Sequence, residues 1–588
     1  MKKLYIPLFF ATILTLISCT DNTKPSLVLL GTTDVHGTFF PVDLVSNQES
    51  YNSLASVSAY FKQVRSEGHR VIAMDNGDIL QGQPEVYYYN YIDTVAEHLC
   101  ASMLNYMNYD VATVGNHDIE AGHSVYDRIE ELYNFPLLAA NAVSTSTDEP
   151  YFKPYTIIRR NGLDVAVLGL ITPSVPNWLP PVLYSGMRFE NMTTTALKWM
   201  EEIKELNPDI IVGLFHSGWN DETEAPDPGN SSDAVVYNVP GLDVVFTGHD
   251  HSPMNKKMVN IEGDTVLVLN AGSRSEYVAR VDVYKAQGRG KQGTRFVFHG
   301  ELVESSELSP DQEFVSTFSS QFEEVKNYVS RVIGVAPQEI SSRESLFGPS
   351  AFVDLIHTIQ LDLTSADISF AAPLSFNVNI PPGQITVGDM FKLYRFENML
   401  YKMEMTGREI DGFLEHSVRG WFNTMSSPDD YMLRYRADES GKPVLSSGRL
   451  RLMAPIYNFD SAAGIEYTVD VTKPYGEMIS ISSFSDGREF YPDSTYTVAI
   501  NSYRGSGGGG HIRNGAGLSP EVALQRLIGS TERDLRFYFI EWIEKSYEIK
   551  LDAFDNWKVI PQKYYEAALS REYSLVYGSE TQKQNNTN

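Results

Sequence analysis

Histidine, aspartate and asparagine residues follow short apolar runs in the first half of the chain. These polar residues are Asp34, His36, Asp78, Asn116, His117, His216, His249 and His251. The preceding runs, such as 27–30 and 210–215, are typical of strands in a mostly parallel sheet buried on both faces. Since such sheets bind ligands at the carboxyl ends of their strands, we expect these side chains to lie together. Mixed oxygen and nitrogen donors suit Mn, Zn, Co or Fe, and not Ca.

The chemistry predicted for such a site is phosphoester hydrolysis. Asp78 has two carboxylate oxygens and can bridge two cations. Two divalent metal ions roughly 3.5–4 Å apart activate a hydroxide and hold a phosphoryl group between them. The sequence therefore predicts a two-metal centre assembled from residues spread over 34–251.

The elements that must position this centre indicate an α/β domain followed by a second domain. The chain has 588 residues, which is too long for one ordinary core. Strand-like runs alternate with helical or loop segments across 27–300. Segment 309–332 is predicted to be a linker helix, with Ser309 as its N-cap and Gln312 completing a capping box. Its apolar residues recur at helical spacing.

A second domain is predicted over 335–560. It begins with a helix near 350–361, followed by strands near 368–370 and 496–500 and by a helix over 531–546. Residues 578–588 lack apolar side chains and are predicted to be disordered.

The N-terminus predicts export and a lipid anchor. Lys2 and Lys3 precede an apolar run that ends in Leu16-Ile17-Ser18-Cys19, so residues 1–19 are predicted to be a lipoprotein signal peptide with Cys19 acylated. A transmembrane anchor is the alternative, and the short run disfavours it. We therefore expect a lipid-anchored protein of the bacterial cell envelope, on the periplasmic side or the cell surface.

The charge and the cysteine count narrow the expected partners. The formal net charge is −28, which disfavours nonspecific binding to nucleic acid polymers but still allows small anionic substrates at a metal centre. After processing, Cys100 is the remaining cysteine, so no intrachain disulfide and no thiolate metal cluster are expected. We expect a monomer that acts on a small molecule.

The combined motifs resemble the calcineurin-like metallophosphoesterases, and more narrowly the exported nucleotidases. They are Thr32-Thr33-Asp34-Val35-His36-Gly37, Asp75-Asn76-Gly77-Asp78, Gly115-Asn116-His117-Asp118, His216-Ser217-Gly218 and Gly248-His249-Asp250-His251. Protein Ser/Thr phosphatases share the metal motifs but usually carry Arg at the position of Gly115. The resemblance implies an α/β fold with an N-terminal four-layer α/β/β/α metallophosphoesterase sandwich, a linker helix and a C-terminal α/β substrate domain of the 5′-nucleotidase type.

The resemblance also implies roles for the individual site residues. One metal ion would be held by Asp34, His36, Asp78 and His251. The other would be held by Asp78, Asn116, His216 and His249. His117 would stabilise the transition state or protonate the leaving oxygen. Glu120 occupies the position of an Asp that orients this His in the 5′-nucleotidases, and Asp118 is the other candidate.

For the second domain, the resemblance implies two aromatic rings that clamp a nucleobase. Phe396 and Tyr503 would be the rings, and Asn398 would hydrogen-bond to the edge of the base. The glycines of 505–510, among them Gly507 and Gly508, would let the backbone approach the ligand. Stacking on aromatic rings is a general way to hold a base.

Two segments of the sequence differ from the 5′-nucleotidase pattern, and they determine which substrate we expect. Segment 371–376 lacks the Arg that contacts substrate in that branch, and Gly507-Gly508-Gly509 lacks the Asp that usually follows the second ring. The segment Ala371-Ala372-Pro373 and the start of the Gly-rich loop, Tyr503-Arg504, resemble instead the branch that hydrolyses 2′,3′-cyclic nucleotides and 3′-nucleotides to nucleoside and phosphate by metal-hydroxide attack on phosphorus. The 5′-nucleotidase/UDP-sugar hydrolase specificity is the first alternative. A lipoprotein that binds nucleotides without catalysis is the second.

Overall fold

The computed structural model describes residues 24–219, 229–286, 295–438, 442–446, 449–550 and 553–578. The predicted signal peptide 1–19, with Cys19, lies outside the described residues, as does the predicted tail 578–588 apart from Gly578. Among the described residues, no helix combines the length and apolar character that a membrane span requires.

The first domain contains two six-stranded mixed sheets. In spatial order, the strands of the first sheet are Arg295–Glu304, Tyr277–Ala286, Leu27–Thr32, Val71–Asp75, Val111–Thr113 and Leu137–Leu138. The strands of the second sheet are Met254–Val259, Thr265–Asn270, Val244–Thr247, Ile210–His216, Leu163–Ile171 and Tyr155–Arg160. The strands that precede the predicted metal ligands are parallel within each sheet, as in Val28↔Val71 and Val212↔Val244.

The two sheets pack face to face between two layers of helices. Leu29 and Met74 of the first sheet share an apolar cluster with Val212 and Phe246 of the second. Helices cover the outer face of the first sheet at Leu54–Ser66, Pro84–Tyr91, Leu99–Tyr106 and His123–Leu132. Helices Met192–Glu205 and Ser232–Asn238 cover the outer face of the second sheet. The predicted four-layer α/β/β/α sandwich is confirmed.

The connector between the domains is two short helices, Gln312–Thr317 and Ser319–Val329, and not the single predicted helix over 309–332. Asp311 caps the first helix in place of Ser309, because its Oδ1 accepts bonds from two backbone N–H groups at 3.1 and 3.3 Å. Asp311 is also fixed by Lys62 at 2.8 Å. The chain leaves helical geometry at Phe318, and the apolar side chains of both helices pack on the first domain.

The second domain is built on a five-stranded mixed sheet. In spatial order, its strands are Ser461–Ala463, Ile368–Ala371, Thr495–Asn501, Leu400–Thr406 and Leu527–Ser530. A three-stranded sheet contains Ile479–Phe484, Ile465–Asp470 and Trp557–Ile560. The helices are Ala351–Thr364, Val387–Leu393, Gly407–Trp421, Ser502–Gly505, Pro520–Gln525, Leu535–Ser546 and Gln562–Tyr577.

The second domain is longer than its predicted range of 335–560. It begins with the strand Val332–Ala336, which pairs with Gly383–Thr386. It ends with the helix Gln562–Tyr577, whose residues Ala568 and Val576 are fully buried in the apolar cluster of this domain. The last helix is therefore part of the core.

A helix of the first domain fixes the position of the second. Tyr87, in Pro84–Tyr91, is buried in the apolar cluster of the second domain. Its hydroxyl donates to Asp534 Oδ2 at 3.0 Å, and its ring lies 5.4 Å from that of Phe391. This contact holds the substrate domain against the strand ends that carry the predicted metal ligands.

Candidate metal centre and substrate cavity

The predicted metal ligands form two groups of side chains at the strand ends. Ligand atoms of Asp34, His36 and His251 lie within 4.8 Å of one another, and so do those of Asp78, His216 and His249. The last predicted ligand, Asn116, joins the second group, because its Oδ1 lies 2.8 Å from His249 Nδ1. Each of the seven predicted ligands therefore lies in one of the two groups, and the groups adjoin, because the backbone N–H of His249 donates to Asp34 Oδ1 at 3.1 Å.

In the first group, His36 and His251 place their Nε2 atoms 3.0 Å apart, and His251 Nε2 lies 3.4 Å from Asp34 Oδ1. His36 Nδ1 faces the carbonyl oxygen of Gln81 at 3.1 Å. When Nδ1 donates there, Nε2 presents its lone pair to the group. Burial lowers the pKa of His36 to about 3, so this imidazole is neutral, as a metal ligand must be.

In the second group, His216 donates from Nδ1 to the Asn76 carbonyl at 2.6 Å, and its Nε2 lies 3.0 Å from Asp78 Oδ2. Both Nε2 and Oδ2 are buried and lack a well-directed hydrogen bond. Burial would raise the pKa of Asp78, but the neighbouring His216 and His117 hold it well below its usual range. Buried donor atoms of this kind fit a divalent cation, which satisfies several lone pairs at once.

The backbone at this centre adopts conformations that are uncommon for these residue types. Five of the predicted ligands have positive φ angles between 50° and 75°, namely Asp34, His36, Asp78, His249 and His251. Left-handed non-glycine residues are strained, and they cluster at functional sites. The turns also approach one another closely, since a Cβ on Gly115 would lie 2.1 Å from Asp78 Oδ1.

His117 pairs with Glu120 and not with Asp118. The Nδ1 atom of His117 is hydrogen-bonded to Glu120 Oε2, which leaves Nε2 for a substrate. Burial alone would lower the pKa of His117, but the carboxylates of Asp78 and Glu120 raise it to about 9. Asp118 instead accepts backbone N–H bonds of 2.8–3.0 Å from Gly115, Asp78, Ile79 and Leu80. Asp118 therefore fixes the backbone of two ligand turns.

A cavity of about 440 Å³ joins this centre to the second domain. On the side of the first domain it is lined by Asn116, His117, Glu120, Trp178, Leu179, His249, Asp250 and His251. On the side of the second domain it is lined by Leu374, Phe396, Asn398, Tyr457, Asn501 and Tyr503. One ligand can therefore contact both the metal centre and the predicted base clamp.

Family models match both halves of this arrangement. A model of the calcineurin-like phosphoesterases matches residues 27–253, and a model of the 5′-nucleotidase C-terminal domain matches residues 332–513. The chain is a calcineurin-like phosphoesterase with a 5′-nucleotidase C-terminal domain. It is thus a metal-dependent phosphoester hydrolase, and the predicted family is confirmed.

Individual relatives of this phosphoesterase cover nearly all of the chain. The trifunctional nucleotide phosphoesterase protein YfkN of Bacillus subtilis is 24% identical over 91% of this chain, which spans 39% of that protein. A 2′,3′-cyclic-nucleotide 2′-phosphodiesterase/3′-nucleotidase of Haemophilus influenzae is 25% identical, over 91% of this chain and 87% of that protein. A solved structure of a suggested 5′-nucleotidase from Staphylococcus aureus, in complex with alpha-ketoglutarate, shares the fold with a TM-score of 0.74 at 20% identity, and the match covers 91% and 99% of the two chains.

The predicted substrate residues of the phosphoesterase are only partly brought together. Phe396, Asn398 and Tyr503 line the cavity, whereas Gly507 and Gly508 do not. A Cβ on Gly508 would lie 2.5 Å from the ring of Tyr503, so this glycine makes room for the ring and not for a ligand.

Sequence reasoning missed two aromatic residues of the cavity. Trp178 stacks on the His249 ring, with centroids 5.2 Å apart and an interplanar angle of 26°. Tyr457 lies near both clamp rings. Neither residue belongs to a sequence motif. The sequence showed only that each is an aromatic residue in a loop between predicted elements, which does not point to a ligand site.

Proposed function

We propose that this phosphoesterase hydrolyses 2′,3′-cyclic nucleotides and 3′-nucleotides to nucleoside and phosphate. The observation that carries the proposal is the cavity itself. His117 and three of the predicted ligands line one side of it, and the rings of Phe396 and Tyr503 line the other; the three ligands are Asn116, His249 and His251. A phosphate and a base joined by one ribose have this same arrangement. The Haemophilus influenzae relative, named for this activity, supports it.

The charge of the cavity supports substrates with a single phosphate. None of the described residues that line it is Lys or Arg, while Glu120 and Asp250 add negative charge. Leu374 lines the cavity from the segment where the 5′-nucleotidase branch has an Arg. A second phosphate group would therefore lack a charge-assisted partner, each worth about 1.5–3 kcal/mol.

The proposed cofactors are two divalent metal ions, one held by Asp34, His36, Asp78 and His251 and one by Asp78, Asn116, His216 and His249. When bound, such ions neutralise phosphate oxygens and lower the pKa of water. We propose that the ions are Mn, Zn, Co or Fe.

The side chains that do not bind metal would orient the nucleotide and donate a proton to the leaving oxygen. His117, held by Glu120 at Nδ1, directs Nε2 at the leaving oxygen and donates a proton there. Phe396 and Tyr503 hold the base, and Asn398 bonds its edge. This placement fixes the ester bond beside the metal centre.

The test is phosphate release from 3′-AMP and ring opening of 2′,3′-cAMP by the purified mature protein. We expect both activities to disappear after dialysis against a chelator and to return with Mn, Co or Zn. A metal-replete protein that hydrolyses other phosphoesters and no nucleotide would contradict the proposal. If it binds nucleotides and hydrolyses no phosphoester, the non-catalytic alternative holds.

We also propose that the protein is anchored to the bacterial envelope by lipid on Cys19. The support is the signal sequence of residues 1–19. Metabolic labelling with palmitate should mark the wild-type protein and not Cys19→Ala. Equal labelling of both would refute the anchor.

A further inference from the structure

We infer that Tyr457 is a third ring of the base-binding slot, and that the buried Arg504 is the positioning residue that holds Tyr457 and Tyr503 in place. This inference rests on the proposed function. It adds a substrate-contacting residue, Tyr457, from outside the motifs, and it gives a role to Arg504, which directly follows Tyr503.

The geometry of Tyr457 completes the slot. Its ring meets the Phe396 ring at 5.6 Å between centroids and 80°, and the Tyr503 ring at 6.3 Å and 87°. Tyr457 thus stands edge-on to both clamp rings and lines the same cavity. A flat base stacked on Phe396 or Tyr503 would meet Tyr457 at its edge, in the arrangement that aromatic groups favour.

Arg504 joins the two segments that carry Tyr457 and Tyr503. Its side chain is fully buried, and Nη2 donates to the Tyr457 carbonyl at 2.6 Å and to Asp460 Oδ2 at 2.7 Å. Nη1 donates to the Gly508 carbonyl at 2.5 Å and to Asn458 Oδ1 at 3.2 Å. The guanidinium carbon lies 5.4 Å from the Tyr503 ring centroid.

The Gly-rich segment is shaped around this guanidinium group. A Cβ on Gly509 would lie 2.2 Å from Arg504 Nη1, and one on Gly508 would lie 2.5 Å from the Tyr503 ring. Gly509 also has a φ of 67°, which disfavours any side chain. These glycines were predicted to let the backbone approach the ligand. They instead make room for the Arg504 side chain and the Tyr503 ring.

Lys cannot reproduce this support. The planar guanidinium bonds four acceptors in fixed directions, whereas an ammonium group is a compact charge with three donors. Arg504→Lys keeps the charge beside Asp460 but loses bonds to the loop carbonyls. It therefore separates positioning from simple charge balance.

The first experiment compares Tyr457→Ala with Tyr457→Phe on two substrates. 3′-AMP carries a base, and glycerol 2-phosphate carries a phosphoester without a ring. Because an edge-to-face aromatic contact is worth about 0.5–1.5 kcal/mol, we expect KM for 3′-AMP to rise roughly 2- to 13-fold in Tyr457→Ala. KM for glycerol 2-phosphate should stay close to the wild-type value, and Tyr457→Phe should restore most of the affinity for 3′-AMP. Tyr237→Ala is the matched control, because Tyr237 is exposed and is not among the described residues that line the cavity.

The second experiment adds Arg504→Lys and the double variant with Tyr457→Ala. If Arg504 acts through the rings, the double variant should raise KM for 3′-AMP by less than the product of the two single effects. Should Arg504→Lys fail to fold, as shown by circular dichroism, Gly509→Ala tests the same support, because its Cβ would press on Arg504 Nη1 from 2.2 Å. Gly509→Ala should then raise KM for 3′-AMP more than KM for glycerol 2-phosphate.

The outcomes separate this inference from the proposed function. Wild-type protein that hydrolyses glycerol 2-phosphate and no nucleotide refutes the proposed function. Wild-type protein that hydrolyses 3′-AMP, with an unchanged KM in Tyr457→Ala, overturns the third ring. Equal losses on both substrates in Arg504→Lys, or fully multiplicative effects in the double variant, overturn the positioning role.

Discussion

Glu120→Gln tests the contact that distinguishes His117, the proposed catalytic residue, from the proposed metal ligands. The variant keeps the size of the side chain and removes the carboxylate that bonds His117 Nδ1. A hydrogen bond to a charged group contributes about 1.5–3 kcal/mol. If it acts in the transition state, kcat for 3′-AMP should fall roughly 10- to 150-fold with little change in KM.

The dependence of kcat on pH should also change in Glu120→Gln, and the direction of the change follows from the pKa of His117. Glu120 stabilises the protonated form of His117, whose pKa is raised to about 9. Without that carboxylate, the imidazole loses its proton at lower pH. The alkaline limb of kcat should therefore move to lower pH in Glu120→Gln, while the acidic limb changes less.

Asp118→Asn is the matched control, because Asp118 is the neighbouring carboxylate with a structural role. Its two oxygens accept four backbone N–H bonds. An amide keeps one oxygen, so two N–H groups lose their acceptor at a cost of about 1–3 kcal/mol each. We expect urea unfolding to show a loss of stability on the order of 2–6 kcal/mol. Wild-type kcat in Glu120→Gln, or wild-type stability in Asp118→Asn, would refute this division of roles.

Three further predictions concern other parts of the chain. Asp78→Asn should lower kcat on the order of a thousandfold and reduce the metal content, measured by elemental analysis, below two ions per chain, because this residue is proposed to hold both ions. Gly115→Ala should weaken metal binding in a chelator competition, because the new Cβ would press on Asp78 Oδ1 from 2.1 Å. Burial raises the pKa of Glu85 from 4.5 to about 8, so it contributes stability that is complete below its unfolded pKa and lost as pH rises toward 8. Urea unfolding at pH 5.5 and 8.5 should therefore show a smaller pH effect in Glu85→Gln than in wild type.

The grouping of the candidate metal ligands could be predicted from sequence because each of these residues is tied to a local pattern. Asp34 follows a buried parallel strand of the first sheet, and His216 ends one of the second. Within each sheet, parallel pairing brings the carboxyl ends of neighbouring strands to the same edge. The short strand–turn motifs leave few alternatives for the side chains. The left-handed backbone at Asp78 was not visible in the sequence, although the flanking Gly77, with a φ of 87°, permits this tight turn.

The cavity was harder to predict because its remaining residues come from distant loops. Tyr457 and Trp178 reach it only through tertiary packing, and no spacing in the sequence connects them. The start of the connector helix was misplaced for a related reason, since the cap Asp311 is selected by a contact with Lys62. In contrast, the terminal helix Gln562–Tyr577 has apolar residues at helical spacing and was missed because the domain was expected to end at 560.

The most direct test of the proposed specificity is the ratio of kcat/KM values across four substrates with the same metal. The substrates are 2′,3′-cAMP, 3′-AMP, 5′-AMP and UDP-glucose. Segment 371–376 lacks the substrate-contacting Arg of the 5′-nucleotidase branch, and this predicts that the first two exceed the last two by at least about tenfold. For UDP-glucose, which carries a second phosphate, the absence of Lys and Arg among the described lining residues of the cavity adds to the difference. Equal or faster turnover of 5′-AMP and UDP-glucose would contradict this prediction and assign the chain to the 5′-nucleotidase/UDP-sugar hydrolase specificity.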